Sequence, residues 1–259
     1  MSYVFKKGKE ARAYVEQQNN DYSKQLAKIK SGESILVKLA SDDDYVLYFA
    51  HSAFGSFKTT LCHDKAGKGK DLYCKASDLL YKDYFKKVDE LKAQGMSDKE
   101  AKKAAEDIRQ QAYTLKAKGR YLMAFFSVDT GEQILVDVTE NQGNGIIDAI
   151  DKYASKKDKV AFELSKVGSG TKTAFSLMPV LDMDEDLTDK QRENFESLKG
   201  KSIDEDAYEK VFQFRDEAGQ IEDLKEFGFD LSRLGVDASK VDEEVQKVDD
   251  VDENPESQF

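Results

Sequence analysis

The chain has 259 residues, of which 35% are charged, and it contains two cysteines and no tryptophan. This length allows one large domain or two small ones. The sequence has no apolar run whose length approaches the roughly eighteen residues of a membrane-spanning helix, and it has no signal-peptide pattern. It therefore predicts a soluble, intracellular protein. Two cysteines do not indicate a disulfide framework, and we expect the thiols to be free or metal-bound.

The formal net charge of −11 is divided unevenly along the chain. Residues 182–259 contain 26 acidic and 10 basic residues, whereas residues 1–181 contain 25 acidic and 30 basic residues. A mildly basic body with a strongly acidic end favours a polyanion-binding protein whose tail competes for the site or recruits partners. The alternative is a tail that only keeps the protein soluble.

The N-terminal 30 residues form a basic, polar segment with interleaved aromatic residues. Such an arm suits a phosphate backbone or an acidic patch on a neighbouring copy of the protein, although a frayed terminus would look the same. The candidate self-association residues are Phe5, Lys6, Lys7, Lys9 and Arg12.

Two alternating patterns, ESILVKLA and YVLYFAH, predict a pair of strands after Gly32. The three aspartates at 42–44 between them indicate a turn rather than a metal site.

The irregular segment 51–78 contains every imidazole and thiol of the chain: His51, Cys62, His63 and Cys74. Two thiolates and two imidazoles could complete a tetrahedral zinc shell and order the loop. Cys62 and His63 are adjacent and point apart in an extended chain, so a shared ion requires a turn. The alternative that no metal binds here is left open. A cysteine nucleophile with a histidine base is a further alternative, but it would need an orienting partner that the sequence does not reveal.

Residues 78–115 change to a helical period and predict a helical hairpin between strands. Ser97 and Glu100 form a capping box at the start of its second helix. The lysines on its polar faces indicate either solvated helix surface or one wall of a cationic groove.

The stretch from Tyr113 to Val138 predicts a hairpin that is buried along most of its length. Lys116, Lys118 and Arg120 alternate at its entrance, followed by YLMAFFSV, a turn at 129–131 and QILVDV. These three cations either form part of a nucleic-acid-binding surface or only keep the end of a central hairpin soluble.

A helix and a final hairpin follow, with a glycine turn at 168–170. This order predicts an α+β fold: a five-stranded Greek-key barrel of the OB type with a helical-hairpin insertion and flanking helices. The predicted domains are an arm at 1–30, a core at 31–235 and a disordered acidic tail at 236–259. Common nucleotide-binding and protease motifs are absent from the sequence, so we expect no enzymatic activity and no catalytic residues.

Several short motifs, taken in order, resemble the helix-destabilising single-stranded DNA-binding proteins of T-even-type phages. An aromatic residue precedes a basic motif near the N-terminus, and a second basic motif precedes the predicted third strand. The matching residues are Phe5, Lys6, Lys7 and Lys9, then Lys116, Lys118, Arg120 and Tyr121, then LVDVT at 135–139 and FELSKVGSG at 162–170.

The resemblance implies a structural zinc held by one histidine and three cysteines. His51, Cys62 and Cys74 match three of these ligands, but Ser77 stands at the position of the third cysteine. His63 would then substitute, or the site would be empty.

The resemblance also implies cooperative, sequence-independent binding of single-stranded DNA during phage replication, recombination and repair in the host cytoplasm. The arm would bridge neighbouring copies, and the acidic tail would bind replication and recombination proteins, with no membrane involved. The alternatives are an RNA-binding regulator and a metal-dependent nuclease. The candidate DNA-binding residues are Lys116, Lys118, Arg120, Tyr121, Tyr113, Tyr73, Tyr81, Tyr84, Lys82, Lys86, Lys172 and Phe175.

Overall fold

The computed structural model describes residues 25–53, 55–212 and 214–236. These residues form two compact units. We call the described residues in 25–48 and 119–212 the strand unit, and those in 49–118 and 214–236 the helical unit. No helix within these ranges has the length and apolar character needed to cross a membrane.

The described strands form one open, mostly antiparallel sheet. Its order is β3-β2-β4-β1-β6-β7, with β5 paired to β4. The strands are β1 (Ser34–Lys38), β2 (Tyr45–Ala53), β3 (Phe57–Leu61), β4 (Lys118–Ser127), β5 (Gln133–Thr139), β6 (Phe162–Val167) and β7 (Ala174–Pro179).

The predicted α+β class is confirmed, whereas the closed five-stranded barrel is not what these seven strands form. In the final hairpin, β6 pairs with β1, and β7 pairs with β6 at the end of the strand order. It therefore extends the sheet instead of closing it.

Eight α-helices lie in the described part of the chain, with 3-10 turns at Ala154–Lys156, Gly170–Lys172 and Leu231–Leu234. The helices are α1 (Leu72–Ala93), α2 (Asp98–Ala104), α3 (Glu106–Leu115), α4 (Glu140–Tyr153), α5 (Met183–Asp186), α6 (Asp189–Ser197), α7 (Asp206–Val211) and α8 (Glu217–Glu226).

The β4–β5 hairpin is buried on both faces within the strand unit. Met123 and Phe125 lie in one core with Ile146 of α4, while Leu122 and Phe126 lie in a second core with residues of the 198–208 segment. Burial on both faces explains why the run YLMAFFSV is apolar at consecutive positions. The predicted turn is present, and Gly131 takes a positive φ of 74° there.

The helical unit has its own core, which α1, α3 and α8 share through Leu80, Leu115 and Leu224. Helix α1 begins earlier than the apolar period at Asp78 indicates, because Asp71 caps it by accepting the Cys74 N–H at 3.0 Å. The predicted capping box of Ser97 and Glu100 is present at α2.

Much of the predicted arm and nearly all of the predicted tail fall outside the described residues. These include Phe5, Lys6, Lys7, Lys9 and Arg12 and the segment 237–259. Residues 25–30 belong to the strand unit, where Leu26 bridges Leu135 and Ile29 is buried in the core beneath α4.

Two glycines of α4 give a direct test of the packing between this helix and β4. A Cβ on Gly143 would lie 2.4 Å from Cδ2 of Tyr121, whereas a Cβ on Gly145 would meet only the Phe175 carbonyl oxygen at 4.0 Å. Gly143→Ala is expected to lower the free energy of unfolding by about 1–3 kcal/mol through overpacking. Gly145→Ala should raise it by up to about 1 kcal/mol through helix propensity.

Urea denaturation of both variants measures this difference. Equal effects of the two substitutions would contradict the close packing of Tyr121 on α4.

Candidate metal centre and nucleic-acid interface

Four potential metal-binding side chains meet inside the helical unit. His51 comes from β2, Cys62 directly follows β3, Asp71 caps α1 and Cys74 lies in its first turn. One donor atom from each lies within 4.8 Å of the others. His51, Cys62 and Asp71 are buried, and Cys74 is half-buried.

Three distances between donor atoms lie within about 0.1 Å of the range expected around a tetrahedral zinc ion, and the others do not exceed 4.8 Å. The two Sγ atoms are 3.6 Å apart, Cys74 Sγ is 3.8 Å from His51 Nε2, and Nε2 is 3.2 Å from Asp71 Oδ1. Ordinary zinc bond lengths at tetrahedral angles place such atoms about 3.3–3.8 Å apart. The residues therefore fit zinc.

Hydrogen bonds from the surrounding chain orient three of the four donors. His51 Nδ1 lies 2.7 Å from the Leu115 carbonyl oxygen, which can only accept, so Nδ1 carries a proton and Nε2 faces the cluster. Asp71 Oδ2 accepts the His63 N–H at 2.9 Å, and Cys62 Sγ accepts the Lys65 N–H at 3.5 Å. The donor set is positioned by the fold itself.

The cluster also perturbs the protonation of its members. Burial opposes a charged His51, but hydrogen bonds to Asp71 and Cys62 raise the pKa of His51 to about 9. The hydrogen bond from Cys74 outweighs burial and, with His51, lowers the pKa of Cys62 to about 5. The same bond raises the pKa of the Cys74 thiol, and His51 holds the pKa of Asp71 below its usual value despite burial. A divalent cation would replace the protons of His51 and Cys74.

Three of the four predicted metal ligands lie in the cluster, and His63 does not. Its ring lies edge-on to Phe214 at 5.2 Å, so the adjacent Cys62 and His63 side chains do point apart. Asp71 takes the fourth place, and Ser77 donates to the Ala112 carbonyl oxygen at 2.8 Å instead. The sequence signal for Asp71 was an aspartate three residues before Cys74 at the start of a helix.

The helical unit places an exposed tyrosine beneath a lysine where α3 leads into β4. Lys118 Nζ lies 4.3 Å from the centroid of the Tyr113 ring, and 48% of Tyr113 is exposed. Lys116 is exposed between them in sequence. An exposed ring beside cations is the arrangement that single-stranded nucleic acids bind.

The other candidates of this unit differ in exposure. Lys82 and Lys86 are exposed and Tyr81 is half-buried, whereas Tyr84 is buried. Tyr73 is fully buried and donates to Asp223 at 2.5 Å, so its ring has no surface for a base.

Phe85 was not predicted as a DNA-binding residue. It lies between Lys82 and Lys86 in the sequence, and 60% of it is exposed. Its signal in the sequence was an aromatic residue off the apolar stripe of α1.

In the strand unit, Arg120 and Tyr121 point to opposite faces of β4. Arg120 forms a bidentate ion pair with Asp137 at 2.8 and 2.9 Å, and Tyr48 donates to the same carboxylate. Tyr121 lies edge-on to Tyr45, with ring centroids 5.9 Å apart. The Arg120 charge is thus largely satisfied within the fold.

The remaining candidates lie near the N-terminal half of α4. Phe175 is half-buried with Lys166 Nζ 5.6 Å from its ring centroid, and Lys172 is exposed. Gln142 of α4 donates to the Thr173 carbonyl oxygen at 3.4 Å, which places the start of β7 beside this helix.

The described residues thus contain a cluster of four potential metal donors, an exposed ring beside a lysine at Tyr113 and a half-buried ring beside a lysine at Phe175. Comparisons of the chain with known protein families, curated proteins and solved structures find no match. Any function must therefore be inferred from these residues and their chemistry.

Metal content distinguishes Asp71 from His63 as the fourth ligand. We expect about one equivalent of zinc in the wild-type protein and in His63→Ala. Asp71→Asn keeps an N-cap acceptor but loses the anionic ligand, and it should retain less than about a tenth of an equivalent.

Elemental analysis of protein purified without chelator gives these values, and circular dichroism checks that the variants fold. Zinc loss in His63→Ala with retention in Asp71→Asn would reverse the assignment.

Proposed function

We propose that this protein binds single-stranded DNA cooperatively and largely without sequence preference, and that it serves DNA replication, recombination and repair. The observation that carries the proposal is the exposed Tyr113 ring with Lys118 above it and Lys116 beside it. Stacking of a base on an exposed ring contributes about 1–3 kcal/mol and tolerates any base. Neighbouring lysines supply the phosphate contacts that make such binding salt-dependent.

The charge of this region supports the proposal. Within the helical unit, residues 49–118 contain 15 basic and 10 acidic residues, whereas residues 214–236 contain 3 basic and 6 acidic residues. Phe85 with Lys82 and Lys86 repeats the combination of an exposed ring and cations on α1. A single strand could follow such positions through its phosphates while its bases stack.

The strand unit offers further aromatic and cationic groups, in particular Tyr121, Phe175 and Lys172. The proposal does not require the OB-type barrel, since the exposed rings of Tyr113 and Phe85 lie on helices and the partly exposed rings of Tyr121 and Phe175 lie on strands of the open sheet. A relationship of this unit to OB-type folds remains part of the proposal, supported by antiparallel strands with α4 between β5 and β6.

We propose that zinc has a structural role in this protein. His51, Cys62, Asp71 and Cys74 would hold the ion, which would cross-link β2, the segment after β3 and the first turn of α1. Four protein donors complete a tetrahedral shell and leave no position for a substrate. This donor set argues against the nuclease alternative, which needs carboxylates at an open site.

We propose the partners other than DNA on the basis of sequence composition. The cations at 6–12 suit self-association along the strand, and the acidic segment after 236 suits binding of replication and recombination proteins. An RNA-binding regulator would use similar contacts, so parallel titrations with RNA of the same length separate the two functions.

Stacking on Tyr113 predicts a specific pair of variants. Tyr113→Ala should weaken oligo-dT binding by about 5- to 100-fold, whereas Tyr113→Phe keeps the ring and should bind within about twofold of wild type. Fluorescence anisotropy of a labelled oligonucleotide measures both. Similar affinities for the alanine and phenylalanine variants would exclude Tyr113 as a stacking residue.

Phosphate contact by Lys116 predicts a change in salt dependence. Lys116→Gln should reduce the slope of log K against log salt by about 0.7. Lys190→Gln removes the same charge from an exposed position on α6 and should leave the slope unchanged. Equal slopes for all three proteins would contradict a phosphate contact at Lys116.

A further inference from the structure

Gly119 of β4 lacks a side chain, and Glu140 and Leu47 approach the strand there; we call this position of the strand unit the Gly119 notch. A Cβ at Gly119 would lie 2.8 Å from Glu140 Oε2 and 3.6 Å from Leu47 Cδ1. The missing side chain thus lets a carboxylate and an aliphatic group approach the strand together. Leu47 is 52% exposed, so the notch opens to solvent.

The notch continues a face that is aromatic. Gly119 and Tyr121 are two residues apart on β4 and share a face, as do Leu47 and Tyr45 on β2. The Tyr45 and Tyr121 rings lie 5.9 Å apart on this face. A base bound here would meet apolar surface on its flat side and the Glu140 carboxylate at its edge.

Glu140 has the properties of a hydrogen-bond acceptor for a ligand. It is exposed, and its carboxylate forms no hydrogen bond or ion pair with the side chains that the structure describes. A carboxylate repels phosphate, but its two oxygens accept a pair of parallel N–H donors. Of the DNA bases, guanine presents two such donors side by side, at N1 and N2, while thymine presents one donor between two carbonyl oxygens.

We propose that Glu140 and the Gly119 notch form a specificity-determining subsite that favours guanine at one position of the bound strand. This inference rests on the proposed binding of single-stranded DNA and adds a base preference to it. The Glu140 carboxylate accepts N1–H and N2–H of guanine while Leu47 contacts the ring. At the first position of α4 the same carboxylate also interacts favourably with the helix N-terminus, which is the purely structural account of this residue.

The test uses short oligo-dT strands with one central residue that is dG, deoxyinosine or dT. Inosine keeps the N1–H donor and lacks the N2 amino group. Wild-type protein should bind the dG strand about 3- to 10-fold more tightly than the dT strand, with the inosine strand between them. Glu140→Gln should bind the three strands within about twofold of one another, because the amide presents a donor where the second acceptor was.

Two further variants separate guanine recognition by Glu140 from the general effect of removing a negative charge. Gly119→Ala displaces only the tip of the Glu140 side chain, so the fold is retained and the guanine preference should be lost. Glu163→Gln removes the same charge from an exposed position on β6 and should keep the preference. Any tightening common to both glutamine variants reports reduced repulsion of phosphate.

The outcomes distinguish the two proposals. If wild-type protein binds none of the strands, the proposed function is wrong. If it binds all three equally, or if Glu140→Gln keeps the wild-type order of affinities, only the guanine subsite is wrong.

Discussion

The strand unit depends on the burial of β4 on both of its faces. Five consecutive side chains, from Leu122 to Phe126, are each withdrawn from water into one of two cores. Such a strand needs a packing layer on each face, and here α4 covers one face and the 198–208 segment covers the other. Apart from Ser127 at its end, the polar and amphipathic groups of β4 are its first residues, from Lys118 to Tyr121, which remain partly exposed. The proposed DNA contacts lie at this end because the rest of the strand is not accessible.

The helical unit depends on a single carboxylate in a comparable way. Asp71 caps α1, pairs with His51 at 3.2 Å and accepts the His63 N–H. The next two residues bind α8: the Leu72 N–H donates to Gln220, and the Tyr73 hydroxyl donates to Asp223. Residues 71–73 thus join the candidate metal cluster, α1 and α8, so an ion held by Asp71 would lie close to the contacts between these two helices.

Sequence patterns predicted the local elements better than the way they assemble. The hairpin at β4–β5, the capping box at Ser97 and the α+β class follow from periodicity and turn chemistry, which act over a few residues. Closure of the sheet depends on whether β7 pairs with a distant strand, and no pattern within the final hairpin encodes that choice. The start of α1 was missed because a side-chain cap, rather than apolar spacing, determines it.

The candidate sites show the same limit. Residue type identified His51, Cys62 and Cys74, since thiols and imidazoles are few in this chain. Asp71 is one of 51 acidic residues, and only the fold distinguishes it from the others. Spacing alone predicts Tyr73 as a stacking residue, but the fold buries it. The proposed roles of Leu47, Phe85 and Glu140 depend on exposure and neighbours that spacing does not reveal.

The proposed stacking of bases on Tyr113 favours single strands over duplex, in which the bases are already stacked on one another. Tyrosine fluorescence of the wild-type protein, titrated with oligo-dT and with duplex of the same length over a salt series, tests it most directly. We expect saturable quenching by the single strand, an affinity whose logarithm falls linearly with the logarithm of the salt concentration, and at least about tenfold weaker binding of duplex. Absence of quenching at low salt, or equal affinity for the two forms, would contradict it.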